Sequence, residues 1–164
     1  MKFVIEPSQV LAGDFPTDLE SLSEELERLA SIIGEAGKAV VALTVASSEM
    51  IKNLNASYRG MDEPTDVLSF PLWEERGVFA PPSGWDALPL GDVVVSPEIV
   101  RQNAKRENIG YNSEMARMII HGVLHLIGFD HDTKERYEEM WTIQESILDK
   151  YSERARTKGG LMTE

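Results

Sequence analysis

The chain has no cysteine. That excludes disulfides and thiolate ligands, and it leaves any metal to His, Asp and Glu. The absence also fits a reducing compartment. Basic residues are scarce: 16 Lys and Arg stand against 28 Asp and Glu, for a formal net charge of −12. Such a balance argues against broad electrostatic binding to nucleic acid, which needs a basic surface. No apolar run approaches the length that spans a bilayer. The opening "MKFVIEPSQV" is a short apolar run broken by Glu6 and Pro7, too short and too charged for a signal peptide. The expectation is a cytoplasmic protein with no membrane partner. Repeats and low-complexity tracts are absent. Histidine is scarce as well: all three fall within residues 119–132, "IIHGVLHLIGFDHD".

A length of 164 residues suits one domain with its own core. We expect a single domain over 1–156 and a disordered tail over 157–164. "KFVIE" reads as a first strand. Leu19, Leu22, Leu26, Leu29, Ile32 and Ile33 have helical spacing, with Thr17 as N-cap and Gly34 or Gly37 as the stop. "KAVVALTVAS" is β-branched and continuous, as a central strand is. A short helix follows, from Ser47 or Ser48 to Gly60. "VLSFPL" is a strand cut by Pro71. Residues 73–90, with Pro81, Pro82 and Pro89, show no period and predict a long surface loop. "GDVVVS" is a strand. Pro97 opens a helix capped by Ser96. Another helix, capped at Asn112 or Ser113, ends at Gly128. A last amphipathic helix starts near Asp132 or Thr133. The order β-α-β-α-β-β-α-α-α predicts an α+β fold, a small mixed four-stranded sheet with helices packed on it.

The histidines sit on the second-last helix. At about 100° per residue, Met115, Met118, Ile119, Gly122 and Leu126 share one face. Ile120, Val123 and Ile127 widen the apolar surface, and His121 and His125 lie on the remaining edge beside Glu114 and Arg117. Two His at i and i+4 stand roughly 6 Å apart and can converge on one cation. Gly128 lets the chain turn, and "FDH" can bring His131 up as a third ligand. Three nitrogens leave one position of a tetrahedral Zn²⁺ open, the catalytic arrangement. Imidazole donors also accept other divalent metals.

The helix and turn are metzincin-like, but zinc peptidases place a general-base Glu after the first His, and here that position is Gly122. A substrate with a better leaving group than an amine fits this site, and phosphodiester cleavage is one. Such cleavage needs a cation. Arg59, at the end of the second helix, is a candidate, although a surface arginine near a helix C-terminus needs no other explanation.

"HGVLHLIGFDH", "YRGMDEPTDVLSFP" and "GDVVVSPEIV" together resemble the YbeY family of bacterial endoribonucleases, also called rRNA maturation factors. The first motif is matched at His121, Gly122, Leu124, His125, Leu126, Gly128, Asp130 and His131. The second is matched at Arg59, Pro64, Thr65, Asp66, Val67, Leu68, Ser69 and Phe70, and the third at Gly91 and Asp92. The resemblance covers about residues 40 to 145. It implies a small α+β fold and a metal-dependent endoribonuclease specific for single-stranded RNA. It implies action in 3′-end processing of small-subunit ribosomal RNA and in ribosome quality control; the acidic charge adds the expectation that cleavage needs docking on the ribosome or a ribosomal protein. It implies zinc on His121, His125 and His131, and a catalytic role for Arg59. Residues 73–90 look longer and richer in Pro than the family's usual connection.

Smaller candidates stay open. Arg59, Arg117 and the basic helix with Arg101, Lys105 and Arg106 could line a locally positive groove, or be a solvated face balanced by Glu98 and Glu107. Asp130 could orient a ligand ring, move a proton, or close the turn. Asp66 and Asp92 are expected to bond turn backbone. Trp73, Phe79 and Trp85 could stack on bases; pinning the loop to the core is the favoured role. Two other functions remain: a hydrolase of another substrate, which Gly122 disfavours if a peptidase, and a non-catalytic ribosome-assembly factor whose structural metal is closed by Asp130 or Asp132.

Overall fold

A computed structural model of the chain describes residues 1–7 and 15–159. In chain order these form β1 (Lys2–Pro7), α1 (Leu19–Leu26), a 3₁₀ turn (Glu27–Leu29), α2 (Ala30–Ile33), β2 (Ala36–Val45), α3 (Ser48–Arg59) and β3 (Val67–Pro71). Then come β4 (Glu74–Glu75), β5 (Val78–Phe79), β6 (Trp85–Val95), α4 (Pro97–Arg106), α5 (Tyr111–Leu126) and α6 (Lys134–Gly159). The α+β class and the four-stranded mixed sheet are as the sequence predicts. Strand order is β1-β2-β6-β3, with β3 antiparallel to β6 and the other pairs parallel.

Residues 73–90 differ from the expected loop. They hold the β4–β5 hairpin and the first half of the eleven-residue β6. A central strand with Pro89 in it is readable only through a bulge. Val40 pairs with Pro89 and Val41 with Gly91, so Leu90 is the extra residue, and a bulge tolerates the missing N–H. Gly91 has φ +135°, and a Cβ there would stand 2.2 Å from the Phe70 carbonyl oxygen. Trp73 is pinned: its indole N–H donates to the Pro89 carbonyl at 2.6 Å, and its ring meets Trp85 edge-on.

Helix ends show the other differences. Asp18, not Thr17, caps α1, its carboxylate accepting from the Ser21 N–H at 3.2 Å. The predicted single helix tightens into the 3₁₀ turn with no Gly or Pro to mark it. α5 begins at Tyr111 after a Gly110 cap, earlier than Asn112 or Ser113, because glycine is itself an acceptable cap. α6 is capped by Thr133, whose hydroxyl accepts from the Arg136 N–H. α6 runs to Gly159, past the boundary at 156, so the expected tail starts within a helix; residues 160–164 lie outside the described residues.

The main core lies on one sheet face. Phe3, Ile5, Val41, Leu43, Leu88, Leu90, Val93 and Val95 meet Leu22 and Leu26 of α1, the apolar side of α5, and Ile147 and Tyr151 of α6. A smaller cluster of Ala46, Ile51, Leu68 and Val94 seats α3 on the opposite face. In α5, Met115, Ile119, Ile120, Val123 and Leu124 are fully buried, each worth about 1.5–3 kcal/mol. That burial fixes the rotation of α5 and hence where its histidines stand.

Candidate metal centre

α5 brings His121 and His125 to its half-buried edge, and its C-terminus delivers the third ring. The Phe129 N–H bonds the Leu124 carbonyl and the Gly128 N–H bonds the His125 carbonyl, a Schellman ending. Gly128 has φ +100°, and a Cβ there would meet the Phe79 Cβ at 2.9 Å. The turn therefore requires glycine twice over, and the β4–β5 hairpin clamps it. Asp130 closes the turn by accepting from the His131 N–H at 2.7 Å.

One nitrogen from each of His121, His125 and His131 lies within 4.8 Å of the others. The Nε2 atoms of His121 and His125 are 3.1 Å apart. Two nitrogens bound tetrahedrally at about 2.0–2.1 Å stand about 3.3 Å apart, so the spacing fits a single small cation. Behind the site the Gln144 Oε1 accepts from His121 Nδ1 at 2.8 Å. Burial pushes His125 down to about 4, helped by the neighbouring charges of His121 and His131. His121 is also pushed down, chiefly by burial, with Gln144 opposing. At neutral pH these two rings are neutral and offer lone pairs, as metal binding requires.

Among the described residues no carboxylate joins the three rings. Asp130 is engaged with the turn, and Asp132 is paired with Arg136 at 3.0 Å. Gly122 is buried, and its carbonyl accepts from the Ser69 hydroxyl at 2.8 Å. A Cβ on Gly122 would stand 2.7 Å from Val93 Cγ1 and 3.2 Å from Ser69 Oγ. The position that carries the general base in zinc peptidases thus has no room for any side chain, a stronger objection than the sequence alone provides.

The rings open into a cleft of about 420 Å³. Arg59, Asp66, Ser69, Glu74 and Asp130 share its lining. Ladder bonds from the Leu72 N–H to Leu90 and from the Ser96 N–H to Asp66 set the parity of β3. Even-numbered residues bond β6, so Val67, Ser69 and Pro71 turn their main-chain groups to the free edge, which walls the cleft. Arg59 ends α3, where Gly60 takes φ +70° and stops the helix. No ion pair among the described residues engages Arg59.

The broader positive groove is not formed. Arg117 is held by Glu114 at 2.6 Å and by both oxygens of Glu145 at 2.9 and 3.0 Å. Arg101 lies over the Tyr111 ring at 4.3 Å, and Arg106 pairs with Glu107. None of these, nor Lys105, lines the cleft. Glu98 bonds the Ser48 hydroxyl rather than a cation. Asp66 accepts from the side chains of Asn103 and Thr65 rather than from turn backbone. Asp92 is exposed on β6. Sequence reasoning missed Gln144 and Glu74, and gave Ser69 no role beyond its place in the second motif. Gln144 was findable as a polar residue in the apolar spacing Met140, Ile147, Leu148 and Tyr151 of α6.

Residues 13–152 match the family model described as Endoribonuclease YbeY, a wider span than the motifs alone cover. The chain is 44% identical over 144 residues to an "Endoribonuclease YbeY" of Moorella thermoacetica, covering 83% of this chain and 90% of that protein. It is 39% identical over 137 residues to the protein of that name in Bacillus subtilis, covering 80% and 87%. The solution structure of TM1509 from Thermotoga maritima superposes with a TM-score of 0.62 at 33% identity, covering 94% of this chain and 93% of that one.

Proposed function

The chain belongs to the YbeY endoribonuclease family, and from that premise we propose that it is a metal-dependent endoribonuclease that cuts single-stranded RNA in the cleft beside His121, His125 and His131. The observation that carries this reading is the convergence of three imidazoles within 4.8 Å beside an open cleft, with no carboxylate among them. The donors suit Zn²⁺, and zinc is the ion we assign. When bound, such an ion supplies Lewis-acid stabilisation of phosphoryl oxygens and lowers the pKa of an attacking water.

The protein's own groups do the rest. Desolvation keeps His121 and His125 unprotonated. Burial of Gly122 under Val93 fixes the height of the helix against the sheet. Arg59, the one Lys or Arg among the described residues that lines the cleft, supplies the positive charge that a phosphodiester transition state needs. An acidic surface makes affinity for free RNA low. Docking on the ribosome or a ribosomal protein, in the cytoplasm, would overcome that. The substrate we assign is the 3′ region of small-subunit ribosomal RNA. Among the described residues no helix is long and apolar enough to cross a membrane.

The deciding experiment quantifies metal and assays cleavage of matched single-stranded and double-stranded RNA by wild type, His121→Ala, His125→Ala and Arg59→Ala. Loss of metal and activity in the histidine variants, with metal retained in Arg59→Ala, is expected. Equal cleavage by all four proteins would assign the activity to a contaminant. Metal retained in an inactive wild type would favour the ribosome-assembly reading.

A further inference from the structure

Gln144 is 3% exposed, on the face of α6 that otherwise presents Met140, Ile147, Leu148 and Tyr151 to the core. An amide in such a place costs about 1–3 kcal/mol unless it is bonded. Here both ends are bonded. Its Nε2 donates to Glu145 Oε2 at 3.1 Å, and its Oε1 stands 2.8 Å from His121 Nδ1. The orientation is not arbitrary. An ionised carboxylate only accepts, so the NH₂ must face Glu145 and the carbonyl must face the ring. An amide oxygen also only accepts, so His121 Nδ1 must carry the proton. Nε2 is then the lone-pair atom, and it points at His125 Nε2, 3.1 Å away.

The amide is itself held. Glu145 is gripped at both oxygens by Arg117, and Arg117 is further tied to Glu114. Four groups on two helices thus bear on the protonation of one ring nitrogen. We propose that Gln144 is a positioning residue that locks His121 in its Nδ1–H form and aims Nε2 at the metal, with the Arg117–Glu145 pair as its anchor. This rests on the metal-centre reading, but the tautomer it specifies is a property of the metal-free protein.

The test uses ¹⁵N-histidine spectra of the metal-free full chain, at a pH where the ring is neutral, and zinc affinity by chelator competition. Gln144→Met keeps the volume and removes both bonds. In wild type His121 should be almost wholly the Nδ1–H tautomer. In Gln144→Met the two tautomers should mix, and zinc affinity should fall about 10–100-fold, the usual effect of losing a ligand's hydrogen-bond partner. Unchanged tautomer and affinity in a folded Gln144→Met would overturn the proposal. An Nε2–H ring in wild type would overturn it whether or not the variant folds. A wild type that shows the Nδ1–H ring but takes up no zinc would sink the metal reading while supporting the tautomer lock.

Discussion

The Ser69 hydroxyl donates to the Gly122 carbonyl at 2.8 Å, tying the edge strand β3 to the histidine-bearing helix α5 at the residue after His121. The bond crosses the contact where Val93 methyl groups press on the space a Cβ would fill. Gly122→Ala should therefore destabilise the fold by about 1–3 kcal/mol, the usual range for overpacking. Val93 is fully buried and cannot step aside. Urea denaturation of the metal-free protein measures this, and a neutral result would show that α5 can slide. Gly122→Glu should not gain peptidase activity, because a longer side chain overpacks the Val93 contact still further.

Arg59 carries no structural bond among the described residues, so removing it should leave the fold intact. Arg59→Ala should retain zinc content and thermal midpoint while single-stranded RNA cleavage falls about 10²–10³-fold, as when one donor to a developing charge is lost. Arg59→Lys should recover part of the rate. A thermal shift of more than a few degrees in Arg59→Ala would point to a structural role instead.

His125 is held down at about 4 against an ordinary 6.5, first by burial and then by His121 and His131. Between those values the unfolded chain binds the proton that the folded one refuses. Metal-free stability should therefore rise with pH through that window and be lost as pH falls towards 4. His121 acts in the same direction. Denaturation midpoints across the window, compared with His125→Asn, isolate the effect: the variant should show a shallower slope. Equal slopes would mean that the ring takes up its proton in place.

Gly128 joins left-handed backbone to a Phe79 contact that leaves no space for a methyl group. Gly128→Ala should cost about 1–3 kcal/mol. It should also displace His131 while leaving His121 and His125 on their helix. Zinc affinity should then fall even after correction for the lost stability, which chelator competition on folded protein can read. Unchanged affinity would remove His131 from the ligand set.

The histidine cluster was legible in the sequence because its geometry is local. Two offsets, four and six, and one glycine specify a helix face and a turn. The sheet was legible as a class, since "AVVALTV" and "VVVS" are continuous apolar strands. The first half of β6 was not. Pro89 and Gly91 read as breakers, and only pairing with β2 and β3 shows that the two sit around a bulge. Arg117 was misjudged for a related reason. Its partner Glu145 lies 28 residues away on another helix, and no local pattern reveals the pair. Gln144 was hidden by a similar separation, 23 residues from His121, and betrayed only by being polar where its helix wants hydrocarbon.

Because Val67, Ser69 and Pro71 turn their peptide groups to the free edge that lines the cleft, the main-chain part of that wall is written in strand parity and not in residue type. Substitutions there can reshape the wall, but they leave its row of carbonyls, and the amides of Val67 and Ser69, in place. Only a one-residue slip of β3 against β6 would exchange the exposed set for the bonded one. The polarity a substrate meets along that edge is thereby insulated from mutational drift in a way that the imidazole and guanidinium side chains in the same lining are not.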